Sequence, residues 1–340
     1  MSVNIRDGLT YDDVLLEPVY SRVATRRDVD LKMGWALDNG IDLGFEHPLV
    51  PANMDDVAGI DLLRAQLVSG GLAIMHRFQP VGQQVEDFQH LQSEGKNRIA
   101  ASIGVDWDDF QDAKTMVGAG IGIICVDVAH GDHYLAERQV AMLKDLHDAP
   151  IVIAGNVATK GGAKRLFQAG ADIVKVGVGP GSLCTTRIET GCGVPQLTAV
   201  MDVTEMRNEF FPFRGVIADG GIKNAGDCVK ALCFADMVMI GNLFAGTDEA
   251  PGFEGGNYKS YNGSSTHKTN HVEGVRARVK KRGPFDEVLR KLLEGIRSGC
   301  SYQGSENLHE LKQNPQLVRI TSAGLTESYP HDVEIVRDEG

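Results

Sequence analysis

"PIVIAGNVATKGGAKRLFQAGADIVKVGVG", residues 150–179, sets two apolar runs, "PIVIAGNV" (150–157) and "ADIVKVGVG" (171–179), on either side of an Ala- and Gly-punctuated stretch, Val157–Gly170. The runs are nearly continuous and rich in Val and Ile, as strands buried on both faces of a parallel sheet must be, and the stretch between them has the composition of a crossover helix. Six further runs of this kind surround the unit: "HPLVPANM" (47–54), "GLAIMHR" (71–77), "RIAASIG" (98–104), "GIGIICVDVA" (120–129), "RGVIADGG" (214–221) and "ADMVMIGN" (235–242). Eight β–α repeats within 340 residues predict a closed (β/α)8 TIM barrel. An open doubly wound sheet is the rival, but it seldom needs so many strands, and no G-x-G-x-x-G follows the first one.

The bulk composition narrows the function. With 46 acidic against 34 basic residues the net charge is −12, which argues against a nucleic-acid surface and against adhesion to anionic lipid. No apolar run reaches the roughly 18 residues that a membrane span needs, and the start, "MSVNIRDGLTYDDVLLEP", lacks the basic-then-apolar order of a signal peptide. A cytoplasmic protein is expected. The six cysteines are scattered without a C-x-x-C pair, so they read as reduced thiols, most of them in the core. The 340 residues are assigned to one barrel, because residues 78–97 leave room for a single helix and no inserted domain. Residues 243–283 are Gly-, Ser- and Asn-rich with few apolar anchors, which predicts a mobile flap, at about 250–282, over a site. "GPFDEVLRKLLEGIRSGCSY" (283–302) has helical apolar spacing and should close the barrel.

In such barrels the active groups stand on the loops after the strands. Those ends carry Asn53, Asp55, His76, Ser102, Asp127, Asn156, the loop Gly177–Thr186, Asp219 with Gly220 and Gly221, and Gly241 with Asn242. The glycines of "GVGPGS" let backbone groups converge on an anion, or let carbonyls converge on a monovalent cation; a plain tight turn is the other use of such a loop. Cys184 follows directly, and a thiol in a Gly-rich rim loop suits a nucleophile, if a base or N–H groups activate it, better than a small structural side chain. The glycines after the seventh and eighth strands suit phosphate binding through backbone amides. Asp219 could accept hydrogen bonds from a sugar diol or cap a turn. "DVAHGDHY" offers Asp127, His130 and His133, but without further ligands or a helical H-x-x-x-H they read as rim contacts rather than a metal site.

Nearly the whole chain resembles the inosine-5′-monophosphate dehydrogenase and guanosine-5′-monophosphate reductase barrels. The matching segments are "DGLTYDDVLLEP" (7–18), "PANMDDVAG" (51–59), "DVAHG" (127–131), "AGNVAT" (154–159), "VGVGPGSLCTTR" (176–187), "GVPQLTAV" (193–200), "IADGGI" (217–222) and "AGTDEAPG" (245–252). The resemblance implies that Cys184 attacks C2 of the purine to form a covalent thioimidate. It implies a purine-nucleotide site of Ser182, Asp219, Gly220, Gly221, Gly241, Asn242 and Tyr261, with Asp219 on the ribose, and a potassium ion (K+) on the carbonyls of Gly179, Gly181 and Cys184. It places Ser102, Asp127, Asn156 and Thr159 toward the nicotinamide cofactor and implies a homo-oligomer, usually a tetramer.

Dehydrogenase and reductase share the thioimidate and differ in its fate. Dehydrogenases carry an Arg-Tyr pair in the flap that activates water, and nothing between Tyr258 and Arg282 reads Arg-Tyr. "NHVEG" (270–274) instead resembles the reductase stretch whose glutamate, here Glu273, pairs with a threonine, here Thr186, to protonate departing ammonia. "PANMD" also resembles the reductase form, and the paired CBS motifs usual after the second strand of dehydrogenases are missing. His130, where reductases have asparagine, is a dehydrogenase trait. The flap "YNGSSTHKTNHVEG" lacks the Met-Ser and Arg pattern some reductases use on the base, for which Ser264, Ser265 and Asn270 are the substitutes. The expectation is an NADPH-dependent reductase converting GMP to IMP and ammonia. A dehydrogenase with an unusual flap and a silent nucleotide-binding regulator are the alternatives.

Overall fold

The computed structural model describes residues 5–333 apart from 38–39, 41, 253 and 264–273. Its strands, in chain order, are β1 (Val14–Leu16), β2 (Met33–Ala36), β3 (Asp42–Phe45), β4 (Leu49–Pro51), β5 (Ala73–Met75), β6 (Ile99–Ile103), β7 (Ile123–Asp127), β8 (Ile151–Val157), β9 (Ile173–Val176), β10 (Gly215–Asp219), β11 (Met237–Ile240), β12 (Glu254–Gly255), β13 (Tyr258–Asn262), β14 (Arg276–Lys280) and β15 (Leu317–Arg319). Strands β4 to β11 form one eight-stranded parallel sheet in the order β4-β11-β10-β9-β8-β7-β6-β5, and its two ends, β4 and β5, come together. This is the expected TIM barrel, and each of the eight predicted runs contains one of its strands.

Period-2 alternation divides the core. Ile153, Ile173, Ile217 and Met237 point into the barrel, whereas Val152, Val174, Val216 and Val238 face the surrounding helices. Both faces are dry, which is why these strands read as continuous apolar runs. The β2–β3 hairpin adds Trp35, Leu43 and Phe45 to the inner cluster. It plugs the N-terminal end of the barrel: a Cβ at Gly215, the first residue of β10, would lie 2.7 Å from the Trp35 indole nitrogen. The opposite end is left for chemistry. Between β5 and β6 the main element is the helix Val81–Gly95, and Phe285–Tyr302, the long helix after the flap, buries Phe285, Leu289 and Ile296. β1 pairs antiparallel with β15, tying the two ends of the described chain together.

The described part of the flap carries regular structure. β12, β13 and β14 form an antiparallel sheet, with Tyr258 opposite Lys280 and Asn262 opposite Arg276. Its anchors are Val279 of β14, buried in the main core, and two polar residues of β13. Lys259 and Tyr261 are the inward residues of β13, and the buried Lys259 ammonium donates to the carbonyls of Thr247 (2.7 Å), Asp248 (3.2 Å) and Ala250 (2.5 Å). A lysine that satisfies three main-chain acceptors acts as an internal brace.

Candidate active site

The site is the next layer of the same alternation. Two positions beyond the apolar Ala100, Cys125, Ile173 and Ile217 stand Ser102, Asp127, Lys175 and Asp219, so the barrel interior turns polar at the C-terminal ends of its strands. Lys175, only 2% exposed, places Nζ 2.7 Å from Asp127 Oδ1, 3.3 Å from Asn53 Oδ1 and 3.4 Å from Asp219 Oδ2. Burial alone would lower its pKa, but Asp127 and Asp219 outweigh that and hold the ammonium above the ordinary lysine value. A register shift between Ala154 and Val157 marks a bulge in β8, and there Asn156 Nδ2 donates to Asp219 Oδ2 (2.8 Å) and to the Gly177 carbonyl (2.9 Å). Gly155 must be glycine, since a Cβ would lie 2.7 Å from the Lys175 carbonyl oxygen.

Two adjoining cavities open on this layer and share Ala52, Met54, Asp219 and Met239 as common wall. The larger, about 440 Å3, is lined by Ser182, Asp219, Gly220, Gly221, Gly241, Asn242 and Tyr261, all expected from the sequence to touch substrate, and also by Thr10, Lys223 and Arg282. Gly220 and Gly221 take φ of +96° and +81°, conformations that favour glycine and bare the backbone to the cavity. Burial pushes the Tyr261 phenol up to about 12 against the pull of Ser182, so its hydroxyl keeps its proton and can donate. Ser264 and Ser265 lie outside the described residues.

Gly241 forms the floor below that phenol, and a Cβ there would sit 2.3 Å from Tyr261 Oη. Gly241→Ala is therefore expected to displace Tyr261 and, if this cavity is the nucleotide site expected from the sequence, to raise KM for the nucleotide by about tenfold or more while costing roughly 1–3 kcal/mol of stability. Steady-state kinetics and thermal unfolding of the variant check this; an unchanged KM would remove Tyr261 from substrate binding.

The smaller cavity, about 230 Å3, is lined by Asn53, Arg77, Phe78, Asp127, Asn156 and Lys175. Asn156 Oδ1 is buried and has no hydrogen bond among the described residues. Asp127 and Asn156, expected from the sequence to face the nicotinamide nucleotide, both line this cavity. Ser102 is fully buried behind Asn53, whose Nδ2 donates to it at 3.0 Å, so it supports the wall from behind. Thr159 serves the fold: its hydroxyl accepts the Gly162 N–H (3.1 Å) and caps the helix Lys160–Gln168.

The Gly-rich loop after β9 puts Pro180, Gly181 and Ser182 in the wall of the larger cavity, and Cys184 follows two residues later, outside that lining. Cys184 is exposed, its Sγ donates to Thr186 Oγ1 (3.1 Å), and its N–H donates to the Gly181 carbonyl (3.0 Å). Arg187 braces the loop from below, donating to the carbonyls of Val178 (3.2 Å) and Val194 (2.6 Å). Cys125, Cys228, Cys233 and Cys300 are buried thiols whose pKa burial raises; Cys184 and Cys192 alone are exposed. The far end of the flap is stitched to this loop: Gly274 N–H donates to Thr185 Oγ1 (2.9 Å) and Val275 N–H to the Leu183 carbonyl (3.2 Å). Glu273, next in the chain to Gly274, and Asn270 lie outside the described residues. No cluster of three His, Cys, Asp or Glu able to hold a metal occurs among the described residues. No helix among them is long and apolar enough to cross a membrane.

A family model described as "IMP dehydrogenase / GMP reductase domain" matches residues 8–331. The chain belongs to this family. It is 43% identical over 271 residues to an inosine-5′-monophosphate dehydrogenase of Chlorobaculum parvum, covering 72% of this chain and 54% of that protein. A second relative, the inosine-5′-monophosphate dehydrogenase of Streptococcus pyogenes, is 40% identical over 282 residues, 75% of this chain and 57% of that protein. The chain therefore spans about half the length of these curated relatives. Among solved structures, a cysteine-to-alanine variant of the GMP reductase of Trypanosoma brucei, in complex with guanosine 5′-monophosphate, superposes with a TM-score of 0.86 at 28% identity, covering 97% of this chain and 99% of that one. Members of this family are oxidoreductases of purine metabolism.

Sequence reading passes over three groups that build this family site. Lys175 is the one charge within β9, Ile173–Val176, and its inward parity with Ile173 is the available signal. Asp56 accepts both the backbone N–H (2.8 Å) and the side chain (2.6 Å) of Asn262, locking β13 to the loop after β4. Arg282 joins the wall only because β14 folds back, which no local pattern announces.

Proposed function

We propose that the chain is a GMP reductase, converting GMP, NADPH and protons to IMP, NADP+ and ammonium. The observation that carries the reading is the stitch between the flap and the thiol loop: Gly274 and Val275 are hydrogen-bonded to Thr185 and Leu183, which brings the chain next to Glu273 to the loop of Cys184 and Thr186. The flap sequence contains no Arg-Tyr pair to activate a hydrolytic water.

In this scheme the phosphate of GMP lies in the larger cavity against the amides of Gly220, Gly221 and Gly241 and the Tyr261 hydroxyl, and its ribose diol donates to Asp219. The Cys184 sulfur attacks C2, its proton leaving toward Thr186, to which it already points. Thr186 and Glu273 then deliver a proton to the 2-amino group, which leaves as ammonia and makes the C2 thioimidate. A reduced nicotinamide, when bound, supplies the hydride to C2. The thiolate departs as C2 receives it, and IMP is released. Asp127 and Asn156 orient the cofactor at the smaller cavity, for which the unpartnered Asn156 Oδ1 is suited. The carbonyls of Gly179, Gly181 and Cys184 would hold potassium; this Gly-rich loop, braced by Arg187, offers such an ion backbone oxygens rather than carboxylates.

The relatives named as dehydrogenases, together with His130, favour a second reading, oxidation of IMP with NAD. Parallel assays in potassium buffer separate the two. Loss of NADPH absorbance with GMP, accompanied by ammonia and IMP, supports the reductase, whereas NADH formation from IMP replaces it with the dehydrogenase.

Under the reductase reading, Glu273→Gln should slow ammonia release about 10²-fold, the usual contribution of a general acid, and slow hydride transfer much less. Ammonia assayed in the first turnover, against NADPH oxidation by a preformed adduct, tests this. Equal slowing of both steps would remove Glu273 from proton transfer.

A further inference from the structure

We propose that Lys175 couples the two cavities, so that a nucleotide bound at Asp219 tightens the binding of a nicotinamide cofactor at Asp127. The inference rests on reading the cavities as nucleotide and cofactor sites. Lys175 is the one positive group between two carboxylates that serve different ligands: Asp219 lines both cavities and Asp127 the smaller one alone. Its hold is uneven, 2.7 Å to Asp127 Oδ1 but 3.4 Å to Asp219 Oδ2, so the one buried ammonium neutralises both carboxylates while sitting closer to Asp127. Asn156 Nδ2 and Asn53 Oδ1 complete the cluster.

A ribose diol arriving at Asp219 brings two O–H donors to that carboxylate and reduces its demand on the ammonium. Lys175 then settles on Asp127 Oδ1. The other oxygen, Oδ2, has no hydrogen bond among the described residues, and a fully engaged Oδ1 fixes it toward the smaller cavity. The second ligand meets an acceptor already oriented, and an ordered acceptor costs less to bind. By linkage the cofactor tightens the nucleotide by the same factor. Lys175 is a positioning residue in this scheme: it acts through Asp127 and Asp219, and it also lines the smaller cavity.

The test uses the full chain with IMP and NADPH, a pair that cannot exchange a hydride, and measures the Kd of each by calorimetry with and without the other. In the wild type each ligand should tighten the other about fivefold or more, within the usual range of coupling between sites. Lys175→Met should bring that factor below about twofold, and Lys175→Arg, which keeps the charge, should recover part of it. Absent coupling in the wild type, or full coupling in Lys175→Met, overturns the proposal. Should Lys175→Met fail to fold, a wild-type structure with IMP alone decides: Nζ should lie farther than 3.4 Å from Asp219 Oδ2 and remain on Asp127, and an ammonium that stays in place or moves toward Asp219 overturns the proposal. Failure of IMP to bind overturns the nucleotide reading itself, whereas IMP binding without coupling overturns the role of Lys175 alone.

Discussion

Cys184→Ala is expected to lower turnover at least about 10⁴-fold, the scale of losing a covalent nucleophile, while GMP and IMP bind within about threefold of the wild-type affinity. The two effects separate because the groups are separate. In the proposed scheme the phosphate and ribose contacts come mainly from the ends of β10 and β11 and from β13, with Ser182 the one contributed by the thiol's own loop, whereas the Cys184 sulfur bonds to Thr186. The loop keeps its shape without the sulfur: the Cys184 N–H still reaches the Gly181 carbonyl, and Arg187 still braces Val178 and Val194. Since the side chain is exposed, its truncation should change stability by no more than about 0.5 kcal/mol. Single-turnover kinetics with GMP, calorimetric titration with GMP and IMP, and thermal unfolding read the three quantities. Substantial turnover by the variant would remove the covalent mechanism, and loss of nucleotide binding would mean that the thiol loop shapes the phosphate cavity.

The barrel is legible in the sequence because burial on both faces forces strand sequences that nothing else in the chain imitates. "PIVIAGNV" and "ADIVKVGVG" must be apolar at odd and even positions alike, one set filling the barrel and the other meeting the helices. Glycines at the larger cavity are legible for a similar reason, since Gly220, Gly221 and Gly241 hold places that a side chain cannot enter or can enter only with strain. The flap escapes sequence reading because, Val279 apart, its buried anchors are a lysine and a tyrosine. An ammonium satisfied by three carbonyls buries as firmly as a leucine, yet contributes to composition as a charge. Thr159 shows a role the sequence leaves open, since a threonine after a strand end can cap the next helix, as its hydroxyl does here by accepting the Gly162 N–H.

Lys175→Met should destabilise the protein by about 3–5 kcal/mol at neutral pH, because it leaves two buried or half-buried carboxylates facing one another without their cation. The side chains are similar in volume, so the loss comes from charge rather than packing. With Lys175 gone, Asp127 keeps no cation and Asp219 keeps Asn156 Nδ2, one donor for a full negative charge. The melting temperature should fall on the order of 5–10 °C for a chain of this size. The pH dependence follows from the direction of the lysine's shift. Its pKa is raised in the folded protein, so its stabilisation is fully present below the unfolded value of roughly 10.4 and is lost only as the pH rises toward the folded one. The gap between variant and wild type should therefore stay constant as far as the lysine is concerned across pH 6–9, a range well below roughly 10.4. Adding Asp127→Asn to Lys175→Met should restore part of the stability, since it removes one of the two uncompensated charges. Denaturant titrations of the wild type and both variants measure these differences. A loss below about 1 kcal/mol, or a double variant weaker than the single one, would mean that the polar layer is solvated well enough to stand without its ammonium, and that the barrel tolerates two carboxylates at its mouth.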